Sequence, residues 1–170
     1  MDQLVKKYQR SRDLKSWMLN QATASKRNKN EIKPTEQWSI NQLLFHLYNV
    51  EKSVLGYIEH KHQKGELIHK AGIKAKISYL SLKVMLKTTI KFKAPKVVEQ
   101  NPEALDFDTL VNDWEASQNE FEAFLTNFPN ELKGIAVFRH PYAGFLSIQQ
   151  TIEFIIDHAE YHKRQMKRLV

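Results

Sequence analysis

Two histidines four residues apart, His158 and His162, lie within the apolar stripe of the C-terminal stretch that runs from Ser147 to Val170. At about 100° per residue, Ile148, Ile152, Ile155, Ala159, Met166 and Leu169 share one helical face. His162 falls roughly 40° and His158 roughly 80° from the line through Ile148, so both imidazoles look toward the core side. Residues at i and i+4 have Cβ atoms about 5–6 Å apart, close enough for both rings to reach one ion at about 2.0–2.1 Å. That is half of a metal site. Seven histidines in 170 residues produce roughly 0.3 such pairs by chance, which makes the spacing alone a weak motif. Its inward placement strengthens it, because an imidazole in an apolar stripe needs a partner for each nitrogen. Ala159 stands where the zinc-protease helix His-Glu-x-x-His carries its general base, which argues against a metalloprotease.

A second group of candidates lies between Trp38 and Ile58. Ile40, Leu43, Leu44, Leu47, Val50, Val54, Leu55 and Ile58 form a helical stripe, His46 falls on its edge and Glu51 in its middle. A carboxylate among such neighbours is costly unless it is paired. Glu51 is therefore a candidate for supporting a metal ligand from behind or for moving a proton, or else the acceptor of a buried hydrogen bond or salt bridge from a neighbouring helix. His60, His62 and His69 lie among Lys, Gln and Glu and read as solvated.

The chain must position these residues with an ordinary globular composition. One domain spans residues 1–170, with 42% hydrophobic and 26% charged residues and no signal-like or membrane-spanning apolar run. A cytoplasmic location is the expectation. Without cysteine, the chain has no disulfide, thiolate ligand or thiol nucleophile of its own. A metal held by histidine and carboxylate suits Zn, Ni, Fe or Mn better than Cu(I) or an Fe–S cluster. The net charge of +7 is uneven: ten lysines and one acid, Glu66, fall between Lys61 and Lys96, leaving 16 basic and 18 acidic residues elsewhere. Such a run could attract an anion, but its lysines alternate with apolar residues in the manner of a solvated helix face and carry no nucleic-acid motif.

Five helical segments follow from periodicity and end signals. The first runs from about Asp2 to Lys26. The second opens with a Ser39/Gln42 capping box and a Trp38 to Leu43 staple and closes near Gly65. A third spans about Leu67 to Phe92, loosened near Gly72, and a loop with Pro95 and Pro102 follows. The fourth starts at Asp106 and buries Leu110, Trp114, Phe121, Phe124, Leu125 and Phe128. The connection from Gly134 to Gly144 contains Arg139-His140-Pro141 and leads to the fifth helix, capped by Ser147 and Gln150. With few glycines and no alternating strand, the expected architecture is a helical bundle, whose metal sites come from inward side chains of facing helices.

Trp38-Ser-Ile-x-x-Leu-x-x-His46-Leu, then Phe92-Lys-Ala-Pro95, then His140-Pro-x-x-Gly144-x-Leu-Ser147-x-x-Gln150 and His158-x-x-x-His162-x-x-Gln165 together resemble the DinB-like superfamily. That superfamily includes proteins classed as metal-dependent hydrolases and the bacillithiol and mycothiol transferases. The resemblance covers nearly the whole chain. It implies an all-α, DinB/YfiT-like four-helix bundle with an additional helical segment and irregular connections. It further implies one divalent metal held by His46, His158 and His162, and a homodimer.

Three histidine ligands leave a coordination position open, as in catalytic rather than structural zinc. Two chemistries fit: activation of water for hydrolysis, or activation of a low-molecular-weight thiol for transfer to an electrophile. The rival readings are a bundle that binds metal without turnover and an anion- or nucleic-acid-binding module using the basic segment from Lys61 to Lys96.

Overall fold

The computed structural model describes residues 3–66, 69–70, 73–88 and 105–170. The side chains of 69–70, 73–78 and Met85 are not part of that description. Helices α1 (Gln3–Ala24), α2 (Ile40–Gln63), α4 (Phe107–Thr126) and α5 (Ile148–Leu169) form the bundle, and α3 (Ile73–Lys87) is the additional helix. Around the bundle, α1 packs on α4, α4 on α2, α2 on α5 and α5 back on α1. The result is a closed ring of four in which α2 stands diagonally across from α1. The third helix lies against α5. No helix among the described residues is long and apolar enough to cross a membrane.

The starts of α2, α4 and α5 are where the capping signals place them, whereas α3 begins at Ile73 rather than near Leu67, after the strand His69–Lys70. Ser39 and Ser147 each accept the backbone N–H three residues on, while the Gln at that position reaches back to the cap N–H. Asp106 caps α4 by accepting from the Thr109 N–H at 2.8 Å. The end of α2 is equally defined: the Glu66 N–H reaches the Lys61 carbonyl and the Gly65 N–H the His62 carbonyl, with Gly65 at φ +66°. This paired closure needs a left-handed residue, which glycine adopts without strain.

The core has two parts. Tyr8, Val54, Ile58, Phe121, Leu125, Leu146 and Ile152 belong to one apolar cluster. Leu14, Met18, Leu43, Leu44, Leu47, Trp114 and Met166 belong to the other. The aromatic stripe of α4 is core, as its spacing implies, with Trp114 and Phe121 at 3% and 0% exposure. The polar side of α5 is not bare to solvent. Glu153 accepts from Lys7 (2.6 Å) on α1 and from Tyr79 (2.9 Å) and Lys83 (3.1 Å) on α3. Burial works against this carboxylate, but those three donors pull its pKa down to about 2.

One expectation is corrected. The stretch from Gly134 to Gly144 is not a plain connection: β2 (Ile135–His140) and β3 (Gly144–Ser147) form an antiparallel hairpin, and the short β1 (His69–Lys70) pairs with β2 on its other side. Alternation failed to announce it because the register shifts between Ala136 and Phe138, which leaves Ala136 and Val137 both buried. A bulge of this kind breaks the period of two on which strand recognition relies. Gly144 closes the turn at φ +70°. Phe92, the possible break near Gly72, and the loop with Pro95 and Pro102 lie outside the described residues.

Replacing Ser39 or Ser147 by Ala should each lower stability by about 1 kcal/mol. The double variant should lose close to the sum, because the two caps share no partner. Urea unfolding that leaves either midpoint in place would contradict the assigned role of these caps.

Candidate metal centre

His46 lies on α2, while His158 and His162 lie on α5; the packing of these two helices brings residues 112 positions apart together. His46 Nε2 is 3.2 Å and His162 Nε2 is 3.1 Å from His158 Nε2. The ligand atoms of all three lie within 4.8 Å of one another, and they are the one such group of three or more among the described residues. His46 and His162 are buried and His158 is partly buried. Burial pushes the His158 imidazole well below its usual range, and His162, His46 and His140 push it the same way. His162 is held down to about 3, by burial first and by His46 second, although its bond to Gln165 works the other way. The His158 and His162 rings are therefore neutral near pH 7, the protonation state a metal ligand requires.

The spacing can be tested against an ion. Two nitrogens about 2.0–2.1 Å from a common tetrahedral centre lie about 3.3 Å apart, close to the separations of 3.2 and 3.1 Å found here. His162 Nδ1 is 3.0 Å from Gln165 Oε1. An amide oxygen can only accept, so the neutral ring carries its proton on Nδ1 and turns a bare lone pair on Nε2 toward the other two rings. The donor set fits a divalent cation. Gln165 sits one turn beyond His162 on the same helix, and its role depends on a side-chain direction that spacing alone does not give.

Aromatic rings hold the imidazoles from outside. Trp38 stacks on His162 at 5.8 Å and 16°, and meets His46 at 4.8 Å. Phe154 stacks on His158 at 5.6 Å and 27°, and Tyr161 sets its ring edgewise to His162 at 5.0 Å. Trp38 precedes α2 in a segment tied down by Asn30 and Asn41, both of which donate to the Leu105 carbonyl ahead of α4. Its position against the site was not legible from its role as a helix staple.

Glu51 faces a different way. Five residues at about 100° each carry it roughly 140° around α2 from His46. Its carboxylate is 2% exposed and accepts from Tyr8 Oη (2.5 Å) and Ser11 Oγ (3.3 Å) on α1, and from Trp114 Nε1 (2.7 Å) and Gln118 Nε2 (3.2 Å) on α4. No histidine is among these described donors. Burial raises its pKa above the ordinary carboxylate range, even though all four hydrogen bonds pull it down. His60 and His62 are exposed, and the side chain of His69 lies outside the described residues. Within the basic segment, Lys61 pairs with Glu66 and Lys83 with Glu153; residues 89–104 are not described.

Comparison with known proteins adds one finding. The family model of the DinB superfamily matches residues 7–166, a span that includes all three histidines, Gln165 and Trp38. No curated protein and no solved structure matches the chain.

Two outcomes follow. Gln165→Leu should weaken cobalt(II) affinity 10- to 100-fold, the usual effect of removing an outer partner of a ligating histidine. Unchanged affinity in calorimetry would remove Gln165 from the site. Glu51 binds its proton more tightly in the folded chain than in the unfolded one, so the stability it confers is present at low pH. That stability is lost as pH rises from about 4.3 through the raised folded value. The stability of the wild type relative to Glu51→Gln should therefore fall across that window; parallel pH profiles would contradict the raised value.

Proposed function

Because the chain belongs to the DinB superfamily, we propose that it is a metal-dependent enzyme acting on a small molecule at the centre formed by His46, His158 and His162. The reaction is hydrolysis or the transfer of a low-molecular-weight thiol to an electrophile. The observation that carries this reading is the convergence of three imidazole Nε2 atoms from two helices, with no carboxylate or fourth histidine in the group among the described residues. A closed structural site has four protein ligands; three leave room for a guest. A divalent cation held there, Zn, Ni, Fe or Mn, would supply Lewis acidity and lower the pKa of a water or thiol that reaches it.

The chain's own residues do the rest. His46, His158 and His162 would hold the ion as neutral ligands, with Gln165 fixing the tautomer of His162. Trp38 and Phe154 wall the rings off from bulk water and stiffen them. Glu51 acts as a positioning group through α2 rather than as a proton carrier, since its oxygens face donors from α1 and α4. The absence of cysteine means that any thiol enters as a co-substrate. The same reading takes the working assembly to be a homodimer and its compartment the cytoplasm.

Elemental analysis should find close to one divalent ion per wild-type chain and far less in His46→Ala and His158→Ala. Incubation with a panel of low-molecular-weight thiols and a model electrophile, in parallel with model esters and amides, should show one of the two substrate types consumed. A chelator should stop the reaction and added metal should restore it. Full metal content in both histidine variants would sink the reading.

A further inference from the structure

His140, at the end of β2, has no part in the function argued so far, yet it is only 7% exposed. Its Nδ1 accepts from the backbone N–H groups of both Tyr142 (3.1 Å) and Ala143 (3.1 Å) in the hairpin turn. A neutral imidazole that accepts at Nδ1 must carry its proton on Nε2. Burial brings its pKa down to about 4, so the ring is neutral near pH 7. The turn thus holds this side chain as a donor at Nε2. That nitrogen is not one of the buried polar atoms left without a partner, so its N–H opens onto space that a ligand can reach. The ring also lies beside the metal centre. Phe154 touches both rings, meeting His140 at 4.5 Å and stacking on His158 at 5.6 Å, and His140 acts electrostatically on His158.

We propose that His140 Nε2–H donates a hydrogen bond to an oxygen of the molecule bound at the three-histidine centre, so that the substrate presents a carbonyl or carboxylate oxygen there. The assignment rests on the metal-centre reading above and narrows its substrate class. His140 is then a binding group fixed before the ligand arrives, its direction set by two backbone amides rather than by a flexible side chain, which is how a donor avoids reorganisation at the moment of reaction.

Two substitutions separate this role from a structural one. In His140→Asn the amide oxygen stands near the position of Nδ1 and can keep the turn, but nothing reaches the position of Nε2. In His140→Gln the amide nitrogen stands near Nε2 and the acceptor at the turn is lost. Acetate binding to the cobalt(II)-loaded protein, followed by the visible spectrum, should weaken about 10-fold or more in His140→Asn, with thermal stability near wild type. In His140→Gln, acetate affinity should be largely retained while stability falls. Unchanged acetate affinity in His140→Asn, or equal losses in both variants, would overturn the assignment. Should either variant fail to fold, the His140 Nε2–H resonance of the wild type, titrated with acetate in the zinc-loaded protein, decides: a shift supports the hydrogen bond and its absence refutes it. A wild-type chain that takes up no cobalt overturns the metal centre and this assignment together.

Discussion

The arrangement depends on a carboxylate held at the middle of the bundle. Glu51 accepts hydrogen bonds from Tyr8 and Ser11 on α1 and from Trp114 and Gln118 on α4, and it sits where the two apolar clusters meet, among Val54 of one and Leu47 of the other. Leaving such a group without donors would cost several kcal/mol. The four contacts therefore set the rotation of α2 about its axis closely. Once Glu51 is turned to α1 and α4, His46 is turned to α5, because five residues of helix separate them by roughly 140°. The polar centre of the bundle thereby aims the imidazole at its two partners.

The other side of the centre is aimed from α5, and α5 is fixed along its own polar flank. Glu153 ties it to α1 through Lys7 and to α3 through Tyr79 and Lys83, and Arg164 reaches the carbonyls of Leu86, Lys87 and Thr88 at the end of α3. Partly exposed ion pairs contribute little energy individually. Their use here is directional: they hold the helix so that His158 and His162 face inward while charged residues cover the third helix. The hairpin brings His140 against the Phe154 ring.

Much of this was legible from residue order. The two capping boxes, the Asp106 cap and the inward His158 and His162 are local features, written into spacings of three and four residues, and they survive in the fold. Glu51 was conspicuous because a carboxylate stood in an apolar stripe, and the hydrogen bonds that satisfy it are of the kind such a placement demands. The hairpin was hidden by its bulge, since Ala136 and Val137 face the core in succession. Gln165 and His140 were visible only as members of a longer pattern. Their roles depend on which nitrogen of a ring carries a proton, and that is settled by partners brought together in space.

The separation between His46 and His158 bears on the order in which the molecule is made. The first and last helices of the bundle pack on each other, and the ring of four closes only through α5. A ribosome that has released α1, α2 and α4 has produced a chain whose acidic centre can already be satisfied, since all five members of the Glu51 network lie upstream of residue 119. The imidazole of His46 still waits for its companions. Assembly of the interior can thus precede capture of the ion, and an apo precursor with three helices in place would be a natural stage of biogenesis.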